Sequence, residues 1–279
     1  MTATGTPIAW ICETCGVQFE PNAEPPVSCP ICEDERQYVG WNGQRFLSMD
    51  AVASGRVVRV REEAGVVTLS MQPAFGIGQR AFLIPYGDRN LMWESLSLVT
   101  AEAVREVQRR GGVSAMAISH PHFYAAMVDW SEALGGVPIY VHEADRCWVQ
   151  RRSSLIRYWS GDRLDLSEDL ALIHLPGHFA GSAGLWWRTG PRPGGSLFPG
   201  DALQVVMDRR HVAFMYSYPN AIPLGPSGVR GLQRAVAPIA FEDVFGFSPG
   251  REIIGEGKRA VEASFRRHMD AMRDHRSHH

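Results

Sequence analysis

Two closely spaced histidines, His120 and His122, constrain this chain more than any other feature of its sequence. They follow an apolar run at residues 114–118, which we predict to be a buried strand. Side chains alternate along an extended chain, so a His-x-His at a strand end directs both imidazoles to one side. His178 and Asp201 each come directly after a Pro-Gly pair, which predicts that separate turns deliver them. Three neutral imidazoles and one carboxylate suit Zn²⁺ or a similar divalent metal, so the sequence predicts one metal site from these four residues.

The order of these motifs resembles the metallo-β-lactamase family over residues 57–250. That family carries His-x-His-x-Asp-His after a strand, a Pro-Gly-His turn, a Gly-Asp strand end and a final histidine. His120 and His122 match the first pair, His178 matches the third position and Asp201 matches the fourth. The resemblance implies an α/β fold, an αββα sandwich of the metallo-β-lactamase type, and a hydrolytic activity.

Two parts of the family pattern are absent. Tyr124 and Ala125 stand where the first motif has Asp-His, and residues 245–248 offer no final histidine. In the family these positions hold a second metal, so the resemblance implies one complete metal position and a broken second one. Tyr124 could hydrogen-bond to a water or substrate at the metal, or it could pack in the core, and the sequence leaves both open. His211 is the candidate for a replacement ligand or a proton shuttle.

Three other polar residues near these motifs are expected to be structural. Glu94 follows a short apolar run and is interpreted as a hydrogen-bonded or solvated carboxylate in a turn. His142 follows a predicted strand and is interpreted as a structural or pocket-wall residue. Cys147 has no cysteine partner nearby, so we expect a small buried apolar side chain.

Four of the five cysteines lie near the N-terminus as Cys12-x-x-Cys15 and Cys29-x-x-Cys32. Two such pairs predict a tetrahedral site made of four thiolates. The stretch resembles rubredoxin-like and zinc-ribbon modules. Zn²⁺ and Fe both accept four thiolates, so the sequence leaves the metal open. A structural zinc is favoured over electron transfer, because so short a segment cannot bury enough core to fold without a metal.

The length of 279 residues suits one large domain and a small appendage. We predict a four-cysteine metal-binding ribbon at 1–43, a metallo-β-lactamase-like domain at 44–275 and an expression-tag remnant at 276–279. A formal net charge of −2 gives no reason to expect nucleic acid as a partner. No apolar run reaches the roughly 18 residues that cross a bilayer. Nothing at the start resembles a secretory signal, so the cytoplasm is expected. The ribbon could also bridge protomers in a homo-oligomer.

Periodicity predicts an ordered series of strands and helices. Short apolar or alternating runs predict strands. Thr100 is suited to cap a helix, and Gly111-Gly112 is suited to end it. The predicted strands are 57–60, 65–70, 81–84, 90–93, 114–118, 138–141, 171–175, 183–187 and 196–201, and the predicted helices are 100–108, 127–134 and 259–272.

Three functions are compatible with the sequence. The first is a metal-dependent hydrolase of a small carbonyl substrate, an ester, thioester, lactone or amide, in which zinc lowers the pKa of bound water toward about 7 and Asp201 orients that water or shuttles its proton. The second is a redox protein, because the resemblance extends to flavodiiron proteins, which join this fold to flavin and rubredoxin-type modules. The third is a non-catalytic member of the fold, because two metal-ligand positions are eroded.

Overall fold

The computed structural model describes residues 6–273, so the predicted tag remnant at 276–279 lies outside the described residues. The chain separates into two compact units, one ending at Trp159 and one starting at Ser160. The boundary predicted near residue 43 stays a prediction.

The first unit begins with the cysteine-rich ribbon, which has little regular structure. Two short strands pair in antiparallel orientation, with Ile11 opposite Leu47. The elements of this segment are β1 (Ile11–Cys12), α1 (Pro30–Glu33), β2 (Phe46–Leu47) and α2 (Met49–Ala53).

A seven-stranded sheet follows the ribbon in the first unit. Its strands are β3 (Val57–Glu63), β4 (Val66–Gln72), β5 (Arg80–Tyr86), β6 (Arg89–Trp93), β7 (Val113–Ala117), β8 (Ile139–His142) and β9 (Ile156–Trp159), in that spatial order. Pairing is antiparallel from β3 to β6 and parallel from β6 to β9. The C-terminal ends of the parallel strands therefore meet at one edge, where open α/β sheets place their chemistry.

Two helices connect the parallel strands, α3 (Ala101–Arg109) and α4 (Met127–Ala133). The predicted cap of α3 is confirmed, because the Thr100 hydroxyl accepts a hydrogen bond from Ala103 N at 3.1 Å. Helix α4 begins five residues after His122 and presents Met127 and Trp130 to the core. The segment between β7 and α4 therefore leaves a strand end and enters a helix within about ten residues.

The second unit contains a six-stranded sheet, two small hairpins and two helices. Its elements are β10 (Arg163–Asp165), β11 (Leu170–His174), β12 (Ala183–Trp187), β13 (Ser196–Phe198), β14 (Gln204–Val205), β15 (Val212–Ala213), β16 (Met215–Ser217), β17 (Ile222–Pro223), α5 (Pro226–Val236), β18 (Asp243–Phe245), β19 (Glu252–Ile253) and α6 (Gly257–Ala271). The sheet order is β10-β11-β12-β13-β18-β19. Leu232 on α5 and Val261 on α6 belong to one apolar cluster with Ile173 and Val244 of the sheet, so both helices cover this sheet.

Within residues 6–273, no helix combines the length and apolar character needed to cross a membrane.

Candidate functional site

His120 and His122 lie directly after β7, as predicted, but the local backbone differs from the prediction. His120 is extended, with φ −168°, whereas Pro121 starts a short 3₁₀ turn, Pro121–Phe123, that carries His122. Strand alternation is therefore the wrong explanation for their common direction, because only the first histidine is in extended backbone. The two rings still approach each other, with centroids 5.3 Å apart, and both side chains are buried.

A buried network on the first unit orients His120. Its Nδ1 lies 2.7 Å from the Ser119 hydroxyl, and Ser119 N donates to Glu94 Oε2 at 3.1 Å. When the hydroxyl accepts from Nδ1–H, the lone pair of Nε2 is available to a metal. Burial, and secondarily the Arg36 guanidinium, lower the pKa of His120 to about 3, so the ring is neutral at physiological pH. The sequence identified Glu94 as a turn carboxylate but gave no sign that it holds Ser119.

His178 and Asp201 form a second buried pair, within the second unit. The chain leaves β11 through a Pro-Gly turn, and Gly177 has φ +145°. A Cβ at Gly177 would lie 2.8 Å from Leu224 Cδ2, so this turn requires glycine. His178 Nε2 and Asp201 Oδ2 are 3.8 Å apart, a separation at which both can contact one cation.

Residues of the loop after Asp201 fix this second pair. His178 Nδ1 donates to the backbone carbonyl of Tyr216 at 2.9 Å, so the proton is on Nδ1 and Nε2 is left for a metal. The Tyr218 hydroxyl donates to the Asp201 carbonyl at 2.7 Å. Burial raises the pKa of Asp201 to about 6, although the nearby His178 opposes the rise. The sequence indicated only an aromatic loop here, because a backbone acceptor leaves no mark in sequence.

The other two catalytic candidates have different surroundings. The Tyr124 side chain is buried, and its hydroxyl donates to the Asp145 carbonyl at 3.3 Å. Burial raises the pKa of Tyr124 well above its ordinary value, so the phenol stays protonated. His211 Nδ1 lies 2.8 Å from Asp208 Oδ2, and this pair is partly exposed. His211 is therefore held by its own turn, and its role as a ligand or shuttle stays a prediction.

Two neighbouring residues complete the comparison with the sequence. His142 Nδ1 accepts a hydrogen bond from Ala144 N at 3.3 Å, and its ring packs against the Trp159 ring with centroids 4.5 Å apart. The structural interpretation of His142 fits these contacts. The prediction that Cys147 is buried is wrong, because its side chain is exposed.

The four ribbon cysteines form a compact buried cluster without disulfides. Cys12 Sγ and Cys32 Sγ are 3.7 Å apart, and so are Cys15 Sγ and Cys29 Sγ. Four thiolates at about 2.3 Å from one tetrahedral ion lie about 3.8 Å from one another, so the observed spacing fits a metal. Hydrogen bonds from neighbouring thiols lower the pKa of Cys12, while burial raises the pKa of Cys15. Four thiolates buried together would repel one another without a cation, so the cluster suits a bound metal.

Comparison with solved structures defines the class of protein. The structure matches DIM-1 metallo-β-lactamase exposed to ceftazidime with a TM-score of 0.55 and 10% identity, over 76% of this chain and 97% of that one. For VMB-1 the TM-score is 0.56 at 11% identity, over 77% and 97% of the two chains. For the mono-zinc form of FIM-1 from Pseudomonas aeruginosa it is 0.52 at 12% identity, over 78% and 97%. The chain has the metallo-β-lactamase fold, which confirms the predicted fold class.

Sequence comparison then gives the family. No protein-family model matches the sequence. The uncharacterized protein YmaE of Bacillus subtilis (strain 168) is 41% identical over 239 residues, which cover 85% of this chain and 87% of YmaE. The chain therefore belongs to the same family as YmaE.

Proposed function

We propose that this protein is a metal-dependent hydrolase that acts on a small carbonyl substrate, such as an ester, thioester, lactone or amide. The observation that carries the proposal is the presence of two buried pairs of candidate ligands, His120 with His122 in the first unit, whose ring centroids are 5.3 Å apart, and His178 with Asp201 in the second, whose Nε2 and Oδ2 atoms are 3.8 Å apart. All four side chains are buried, and the Nδ1 atoms of two imidazoles are already engaged by Ser119 and Tyr216. The donor chemistry fits Zn²⁺ or a similar divalent ion.

We further propose that the site works with one metal. Ala125 has no donor atom, and the Tyr124 phenol is protonated and committed to a backbone carbonyl. Residues 245–248, Phe-Gly-Phe-Ser, supply no imidazole. A protein of the same fold, FIM-1, has been solved in a mono-zinc form, which supports the idea that this scaffold accepts a single ion.

The residues of the chain would divide the chemistry among them. A divalent metal at this site supplies activation of a water molecule and polarisation of the substrate carbonyl. The three imidazoles would hold that metal, and the Asp201 carboxylate would complete the ligand set, or orient the attacking water and take up its proton. The Tyr216 carbonyl keeps the His178 tautomer that presents Nε2, and the Ser119 hydroxyl holds the His120 ring through its Nδ1. Cysteines held as metal ligands rather than as disulfides are typical of a reducing compartment, which supports the cytoplasm expected from the sequence.

Metal analysis combined with a substrate panel tests this proposal. The purified full chain is expected to contain two metal ions, one per ligand cluster, and to hydrolyse at least one of a set of esters, thioesters, lactones and amides. The His120→Ala variant should lose one metal and all turnover together. His174→Ala is the matched control, because the His174 Nε2 bonds to the Ala180 carbonyl and the residue is not part of either ligand set. Full turnover by metal-free His120→Ala protein would refute the proposal.

The ribbon site is proposed to be a structural zinc site. Its four thiolates would also accept iron, so the redox alternative depends on the metal found there. An ultraviolet–visible spectrum separates the two. A colourless protein with zinc by elemental analysis supports the structural role, and an iron–thiolate absorption would favour electron transfer.

A further inference from the structure

The ribbon contacts the turn that follows His122. Gln18 N donates to the Ala125 carbonyl at 3.0 Å. Beside this bond, the Ser97 hydroxyl donates to the Gly16 carbonyl at 2.8 Å in a buried contact. A Cβ at Gly16 would lie 2.3 Å from Ser97 Oγ, so Ser97 approaches this backbone too closely for any side chain at position 16. The loop between the two cysteine pairs is thus packed directly on the segments that surround this turn.

The Gln18 side chain extends the contact to helix α4. Gln18 is buried, and its Nε2 donates to Asp129 Oδ2 at 2.6 Å. Its Oε1 accepts from Arg151 Nη1, and Arg151 also pairs with Asp129 Oδ1. The three side chains form a closed network in which the amide uses both its donor and its acceptor. Charge-assisted bonds of this kind are the strong ones.

The turn between His122 and α4 is strained. Ala125 has φ +40°, a left-handed conformation that is disfavoured for alanine. Such a backbone persists only where surrounding contacts over-determine it. The contacts here include the Gln18 N–H to the Ala125 carbonyl, the Ser95 hydroxyl to the Tyr124 carbonyl at 2.9 Å and Ala126 N to the Leu96 carbonyl at 3.2 Å. The first of these comes from the ribbon.

The same loop is fixed at its other side by the cysteine cluster. Cys12 N donates to the Val17 carbonyl at 2.9 Å, and Gly16 N donates to the Cys12 carbonyl at 2.8 Å. Gln18 also forms a bridge opposite Ile11 in the ribbon. A metal on Cys12 and Cys15 would hold this loop, and the loop presents Gln18 to the turn.

We propose that Gln18 is a positioning residue for the histidine site, which transmits order from the ribbon metal to the backbone that carries His122. The role of this order in catalysis rests on the function proposed above. The bracing itself is a property of the first unit and can be measured without any substrate.

The test uses hydrogen exchange of the full-length metal-loaded protein, followed over residues 122–130. Gln18→Ala should retain the ribbon metal, and its amides in this segment should exchange about tenfold faster than in the wild type, the change that loss of one charge-assisted hydrogen bond supports. Chelator-driven loss of metal from the histidine site should also be faster. Glu13→Gln is the control, because Glu13 pairs with the exposed Arg45 on the ribbon.

A second pair of variants decides the matter if Gln18→Ala does not fold. Gln18→Glu places a carboxylate against Asp129, whereas the double variant Gln18→Glu/Asp129→Asn exchanges donor and acceptor and restores the network. Rescue of slow exchange in the double variant supports the proposal. Equal exchange in the wild type, Gln18→Ala and Gln18→Glu, with the ribbon metal retained, would overturn it. If exchange responds as expected but no substrate is hydrolysed, Gln18 still braces the turn and the hydrolase proposal alone fails.

Discussion

Replacement of Asp201 by asparagine should stabilise the protein that lacks a metal at the histidine site, while weakening metal binding there. Burial raises the pKa of Asp201 from 3.8 to about 6, so the ionised carboxylate opposes folding at neutral pH. At 1.36 kcal/mol per unit of pKa, this difference corresponds to about 3 kcal/mol above pH 6. Asparagine removes the charge and keeps the shape, so we expect the free energy of unfolding to rise by up to about that amount.

The stabilisation expected from Asp201→Asn depends on pH. Because folding raises the pKa of Asp201, the folded protein favours the protonated carboxyl. The stability that this protonated carboxyl contributes is fully present below about pH 3.8. That contribution is lost as the pH rises through about 6. The stability advantage of Asp201→Asn should therefore be largest at pH 7 and should shrink toward pH 4.

Urea denaturation of the full chain measures the difference in the free energy of unfolding between Asp201→Asn and the wild type. The histidine-site metal is first removed, and elemental analysis verifies that the ribbon metal is retained. Asp243→Asn is the control of opposite sign, because the buried Asp243 carboxylate accepts from Arg192 Nη2 at 2.7 Å and from Gly255 N at 2.9 Å. That variant should lose stability. The reasoning is refuted if Asp201→Asn destabilises the metal-free protein at pH 7, or if its advantage does not depend on pH.

Three more results are expected. His211→Ala should leave both metals bound, as elemental analysis would detect, because the ring is held by Asp208 in its own turn; loss of a metal would instead make His211 a ligand. Lys258→Met should lower the free energy of unfolding by about 2 kcal/mol in urea titrations. The reason is that Lys258 Nζ donates to three carbonyls at the end of α5, at 2.6, 3.0 and 3.0 Å. An unchanged denaturation midpoint would mean that water replaces those bonds. Cys29→Ser should release the ribbon metal and expose the ribbon to limited proteolysis, whereas a protease-resistant ribbon without metal would contradict its structural role.

The sequence predicted the features that depend on local chemistry. Strands with alternating or continuous apolar residues and the Thr100 cap follow from neighbouring residues, and so does the tight turn at Gly177. The ligand candidates were identified because their motifs are short and self-contained. The residues that orient them were not, because Glu94 and Ser119 are 25 positions apart in a buried hydrogen bond.

Longer-range contacts leave even less trace in the sequence. Gln18 and Asp129 are separated by 111 positions, and a buried glutamine has no pattern of its own. His122 was assigned the right neighbourhood for an incomplete reason, since Pro121 converts the strand end to a turn. Backbone geometry at such a junction depends on tertiary contacts, including those that hold Ala125 in its left-handed conformation.

The acceptor for the His178 ring proton is a main-chain oxygen, that of Tyr216, whereas the partner of the Asp201 carbonyl is the phenol of Tyr218. These nearby positions should therefore tolerate evolutionary change very differently. A substitution at 216 keeps the main-chain oxygen that accepts from the imidazole, while a phenylalanine at 218 would already delete the contact. A mutational scan of the loop would find that the His178 hydrogen bond survives changes of side chain at 216, whereas the hydrogen bond to the Asp201 carbonyl depends on the tyrosine at 218.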